Sequence, residues 1–479
     1  MSERHLRTKI ALLKSASKKK NIENRTLRRQ YKELKSSRDH YKAIARRLKK
    51  ELSKYRLGAV LRNEMAGTVS IDRHRYDLRL VSLCVALYAL AHCSFRSVIR
   101  VLYYFQMELG IQTSELPSKS SVENWVQKVG LYAYSQYDTN LYESAYCIIL
   151  DESMVIGQER MMVVLGMPAA KERQTAVCLP DVRILAMEVK PSWTGEDVKQ
   201  LVEKVGEKMG KSALYAISDG CSNLKKGIQD AGLPRICDVG HEISKWVEQT
   251  YKSNETFVAF LKAVAGVKFR GVMTAHAYLL PPKQRSIARF MNFSSIVDWA
   301  RKMLGSMPKF NASEQHLFGW LCQYKELIAE LGFVYDMTES ILKTIKNQGI
   351  SVQNINLCLE ICEKQAPNVP QVLLDKITAY LNREKDKLPD GKTIWNASSD
   401  VIESLFGKYK DRNATNTLHG VTPLVLSLFI YTHFDTDLAK MQPEIKQALQ
   451  CVSMADLKQW KADNLIENQV VKRKKMLKK

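Results

Sequence analysis

The chain has no Cys-x-x-Cys pair. It also has no apolar run long enough to cross a bilayer. Its ten cysteines stand singly, at 84, 93, 147, 178, 221, 237, 322, 358, 362 and 451. Without a Cys-x-x-Cys, neither a zinc ribbon nor a catalytic dithiol is indicated. The apolar stretches 80–91 and 421–434 fall short of the roughly 20 residues of a membrane helix, so no membrane partner is expected. No secretory leader is recognisable, and scattered thiols then fit a reducing compartment. The expectation is a soluble intracellular protein. Acidic charge is also scarce: 50 Asp and Glu stand against 73 Lys and Arg, a net charge of +23.

What is present is unevenly distributed. Residues 1–57 hold 20 Lys and Arg against five acids, and they contain no proline or glycine. Lys472-Arg473-Lys474-Lys475, Lys478 and Lys479 add six more positive charges, so only +2 of the +23 belongs to the rest of the chain. Basic ends on a nearly neutral body are an electrostatic footprint for a polyanion, most often nucleic acid. With 45% hydrophobic residues, that body can build a substantial core.

The N-terminal stretch reads as a long helix. Leu27, Tyr31, Leu34, Arg38, Tyr41, Ala45, Leu48, Leu52 and Tyr55 step by four and three alternately, the seam of a dimeric coiled coil; a single basic helix lying along DNA is the plainer alternative. Beyond a linker at 58–76, three helices are expected, near 76–92, 94–109 and 118–134. Ser118 or Ser120 can cap the third. With polar residues at its start and Trp125, Val126 and Val129 facing inward, it resembles the recognition helix of a helix-turn-helix unit. Strands follow at 145–151, 159–167, 182–189 and 213–219, with a short fifth at 235–238 and a helix at 196–209 before the fourth. This pattern describes an α/β mixed sheet with flanking helices and right-handed crossovers. From 242 to 390 the chain reads as helical, and 398–409 is one more helix.

The chemistry gathers at two strand ends. The run AYCIILD closes on Asp151 and the run ALYAISD on Asp219, with Gly220 after it. An acid closing a buried strand sits at the strand's C-terminal end, where open α/β sheets place ligands. Glu403, a turn into the helix of SDVIESLFGKYK, is the third candidate, with Asp400 as its rival. Glu152 reads as a neighbour of the site, and Lys408 and Lys410 are available for phosphates. Carboxylates at such positions suit Mg²⁺ or Mn²⁺, and phosphodiester chemistry uses two such ions. Each acid also has an ordinary reading: a strand-end carboxylate, an Asp-Gly turn, or a solvated helix face.

The order ILD, SDG, a long helical stretch and then SDVIESLFGKYK resembles the DDE transposases. That resemblance implies a ribonuclease-H-like catalytic domain. The 184 residues between Asp219 and Glu403 exceed the plain fold and resemble the types with an insertion before the final glutamate. Cys237-Asp238-Val239-Gly240-His241 resembles the Cys/Asp-x-x-His signature of several such families, which implies His241 near the scissile phosphate. The implied organisation is a basic coiled coil at 1–57 and a helical DNA-binding domain at 58–138. A ribonuclease-H-like core over 139–245 and 393–437 follows, interrupted by an α-helical insertion at 246–392, with a basic tail at 438–479. Trp299 and Trp320 of the insertion would help hold DNA, or belong to its core. The implied activity is metal-dependent cleavage at element ends and 3′-hydroxyl transfer into target DNA by a homodimer or higher assembly, cytoplasmic and nucleoid-associated. A nuclease that cuts without joining, and a dimeric DNA-binding protein without catalysis, are the alternatives.

Overall fold

The computed structural model describes residues 71, 74–109, 116–136, 144–152, 159–169, 174–282, 294–412, 420–434, 437–467 and 469–477, with 34–35, 38–39 and 41–42. Those six N-terminal residues are helical and exposed; the rest of the expected coiled coil at 1–57, and 58–70 and 72–73 of the expected linker at 58–76, lie outside the described residues. The chain divides into two compact units. The larger comprises 69–257, 284–298 and 326–479, and the smaller 1–68, 258–283 and 299–325.

The larger unit begins with helices α1 (Leu78–Ala89), α2 (Phe95–Leu109) and α3 (Lys119–Ser135). Asp77 caps α1 by accepting from Arg79 N, and Ser118 caps α3 by accepting from Ser121 N. In α3 the apolar residues at spacings of three and four, Val122, Trp125, Val126 and Val129, are buried, as helical periodicity requires.

Next comes a five-stranded sheet of order β3-β2-β1-β4-β5. Its strands are β1 (Tyr146–Glu152), β2 (Arg160–Pro168), β3 (Arg183–Lys190), β4 (Ala216–Ser218) and β5 (Arg235–Cys237). The first three pair antiparallel in sequence, whereas β4 pairs parallel with β1 and with β5. Central position explains the composition of β1, which is buried on both faces from Tyr146 to Leu150 and so reads as a continuous apolar run. The register of β2 against β3 shifts between Val164 and Leu165. That bulge presses the Leu185 side chain onto Gly166, where an added Cβ would come within 2.4 Å of it.

The crossover from β3 to β4 is helix α4 (Gly195–Met209). Thr194 and Asp197 form a capping box at its start, and Gly210 ends it in the left-handed conformation, φ 67°. Helix α5 (Ser222–Asp230) crosses α4 closely at Gly227, where a Cβ would stand 2.5 Å from that of Val198. Ile148, Leu150, Val164, Leu185, Val198, Leu201 and Ile228 belong to the core between these helices and the sheet.

From Val239 to Lys385 the regular elements among the described residues are all helices: α6 (Val239–Tyr251), α7 (Glu255–Gly271), α8 (Ser294–Ser306), α9 (Ala312–Phe318), α10 (Lys325–Gln348), α11 (Val352–Gln365) and α12 (Gln371–Lys385). The chain then returns to the sheet. Trp395 stacks on Tyr215 at 4.3 Å between ring centroids, and Asn396 N donates to the Tyr215 hydroxyl at 2.8 Å. This return positions α13 (Asp400–Lys410) against β1, and α14 (Ser427–His433) against β3 and α3. Helix α15 (Leu438–Cys451) packs on both α1 and α3, and α16 (Met454–Asn464) packs on α3. The start of the expected basic tail is therefore structural: Met441, Ile445, Leu449, Leu457 and Trp460 are buried. Positive charge dominates only from α17 (Gln469–Met476) onward. No helix among the described residues is long and apolar enough to cross a membrane.

Within the smaller unit, Trp320 lies against Phe260 and Tyr324. Trp299 donates from Nε1 to Leu279 O at 2.8 Å and meets Phe318 edge-on. Both tryptophans are half-buried.

Candidate active site

The β1–β4 pairing sets the centre of the site. Ile149 is level with Ile217, so two residues further along these parallel strands Asp151, within β1, and Asp219, just past β4, lie side by side at the C-terminal edge of the sheet. Asp151 Oδ1 accepts from Glu152 N at 2.8 Å. Asp219 Oδ1 accepts from Cys221 N at 2.9 Å, turning the chain into α5. Arg235 ties the strand ends together, donating from Nε to Ser218 Oγ at 2.7 Å and from Nη2 to the Asp219 carbonyl.

Glu403 arrives from the first turn of α13, and His241 from the first turn of α6. His241 Nε2 donates to Glu403 Oε1 at 2.8 Å. That bond holds the histidine pKa up, at about 9, and the Glu403 carboxyl below its ordinary value. Asp151 moves the other way: burial, then the charge of Asp219, raise it to about 7, with Glu403 adding to the effect. The four residues expected from the sequence, Asp151, Asp219, His241 and Glu403, thus share one electrostatic neighbourhood.

Their rivals point elsewhere. Asp400 pairs with Lys346 at 2.5 Å, and Glu152 with Arg160 at 2.5 Å. Lys410 lies over the Phe406 ring and also lowers the Glu403 carboxyl.

Asp238 also belongs to the site, although its place in the sequence motif does not disclose its role. Fully buried, it accepts from His241 N at 2.7 Å through Oδ1, and from Ser399 N at 2.6 Å and Ser399 Oγ at 2.9 Å through Oδ2. Its own backbone N–H donates to Ser218 O, on the last residue of β4, at 3.0 Å. One residue therefore ties the end of β4 to the starts of the helices that carry His241 and Glu403. Ser399 spends its hydroxyl on Asp238, and Asp400 N donates to Ser398 Oγ at 3.3 Å.

Among the described residues, no three His, Cys, Asp or Glu side chains are gathered tightly enough to hold a metal ion as they stand. The donor chemistry nevertheless fits a hard divalent cation. Burial and the charges of Asp219 and Glu403 hold a proton on Asp151, and Mg²⁺ binds through a few carboxylate oxygens while keeping several waters. No protein-family model and no curated protein matches the chain.

Proposed function

We propose that this chain is a DDE-type transposase with a ribonuclease-H-like core, whose Asp151, Asp219 and Glu403 bind two Mg²⁺ or Mn²⁺ ions. The observation that carries this reading is the β1–β4 register, which sets Asp151 beside Asp219 while α13 delivers Glu403. The strand order, three antiparallel strands followed by two parallel ones, supports the ribonuclease-H-like assignment. The cations would supply an activated water or 3′-hydroxyl and charge at the leaving oxygen.

The chain's own residues do the rest. Asp151 and Asp219 present oxygen ligands from adjacent strand ends, and Glu403 closes the set from a helix. His241, held protonated by Glu403, would donate to an oxygen of the scissile phosphate. Double-stranded DNA is the proposed substrate. The exposed Ser118, Lys119 and Ser120 at the start of α3 and the basic ends provide contacts to it, and residues 1–57 provide the homodimer or higher assembly.

The test is nicking of a supercoiled plasmid that carries the DNA flanking the gene, with Mg²⁺ or Mn²⁺. Asp151→Asn, Asp219→Asn and Glu403→Gln should each lower cleavage about a thousandfold or more and leave DNA binding largely intact. Wild-type cleavage by any one variant removes that residue from the site. A wild type that binds this DNA but never nicks it refutes the enzyme.

A further inference from the structure

The far end of α13 carries a cluster that the carboxylate site does not use. Lys408 Nζ lies 3.2 Å from His92 Nε2, and Arg412 Nη2 lies 3.2 Å from His92 Nδ1. A neutral imidazole has one acceptor nitrogen and one N–H, so it can accept from only one of these two donors. The other faces an N–H. Burial, and then the neighbouring cations, hold His92 and Lys408 below their ordinary pKa values, and among the described residues Asp411 is the one acid named against that effect. Neither Lys408 nor Arg412 makes an ion pair among the described residues.

The cluster is also fixed in place. The Arg412 guanidinium carbon lies 3.9 Å from the centroid of the Tyr88 ring and 5.6 Å from that of Tyr431, and Lys408 Nζ lies 5.1 Å from the latter. Arg412 Nη2 donates to the Tyr88 carbonyl. Arg412 Nη1 and the hydroxyls of Tyr88 and Tyr431 are buried without a hydrogen-bond partner among the described residues. His92 is held at φ 53°, the sole non-glycine residue with positive φ among those described, a conformation that a β-carbon disfavours and that persists only where the surroundings impose it.

We propose that His92, Lys408 and Arg412 form a binding site for a phosphate of the DNA backbone. This rests on the reading of the chain as a DNA-processing enzyme and says where on α13 the duplex is gripped. A phosphate oxygen between Lys408 Nζ and Arg412 Nη2 accepts from both. It frees the imidazole to donate as well, so the clash of donors becomes a three-sided anion site.

The experiment is duplex-DNA affinity as a function of salt, for wild type and for Lys408→Gln/His92→Asn, asparagine being the side chain that tolerates a positive φ. Arg412 is left in place for its ring contacts. Loss of one phosphate contact should weaken binding about tenfold and make the slope of log affinity against log salt shallower by about 1. If wild type binds DNA and the variant matches it in affinity and slope, the phosphate site is wrong and the proposed function stands. A wild type that binds no DNA at any salt overturns both. Lys408→Gln alone, at a half-exposed side chain, decides the matter if the double variant melts early.

Discussion

Asp151 is the residue whose state reports the site most directly. An unfolded chain gives up this proton near pH 3.8, whereas burial and Asp219 keep it on the folded protein to about 7. Between those values the folded state binds more protons, so stability falls as pH rises from about 4 to about 7 and stays reduced above that. Asp151→Asn removes the penalty. At pH 8 the metal-free variant should be more stable than wild type by on the order of 1–4 kcal/mol, with the difference vanishing near pH 4. Added Mg²⁺ should raise the melting temperature of wild type and not of the variant. Calorimetry across pH, with and without metal, checks both, and a wild type that is unaffected by pH and by Mg²⁺ removes the premise. Asp238 makes a different prediction, because it acts through other residues. Asparagine has a single acceptor oxygen and can serve either His241 N or Ser399 N, not both. Asp238→Asn should cost about 1–3 kcal/mol and lower nicking about 10- to 100-fold. Ser399→Ala, which removes one of the three bonds, should cost about 1 kcal/mol. Equal effects in the two variants would contradict the account of Asp238 as a shared tie.

At the scale of elements, α4 and α5 meet at Gly227 through a contact with no spare volume. Gly227→Ala should destabilise by about 1–3 kcal/mol, because the helices must separate; an unchanged denaturation midpoint would contradict that contact. Elements are also where the sequence is most and least informative. Asp151 and Asp219 are legible because each closes a buried, mostly apolar run, and the first acid in the run marks its C-terminal end. The bounds of β4 are not: 213–219 reads as one strand, yet ladder pairing with β5 runs only from Ala216 to Ser218, and Leu214 is 40% exposed. Periodicity sees apolar residues and not which of them have a partner strand. Glu403 is legible from its helix, but its choice over Asp400 depends on Lys346, a residue of α10 that no local pattern connects to it. The role of Asp238 is legible only in space, since its second partner is Ser399, 161 residues away. His92 gives no signal in the sequence at all, because a positive φ at histidine follows from its surroundings.

For the whole molecule, charge is the property that composition reports best. Residues 1–57 carry 20 of the 73 Lys and Arg and the seam of apolar residues expected to pair two copies. A chain beginning at residue 58 should bind DNA more weakly, show a shallower dependence on salt, and sediment as a monomer where the full chain sediments as a dimer. An unchanged sedimentation coefficient and affinity would rule out that role for the stretch. The packing of α15 on α1 and α3 carries a consequence for inheritance. All three acids of the site, and Asp238 with them, lie before residue 438, yet α15, which packs on both α1 and α3, lies after it. A frameshift at that point spares all four of these residues and strips α15 from α1 and α3. An intact set of acids is therefore no sign of an intact fold; residues 438–451 have to be read with them.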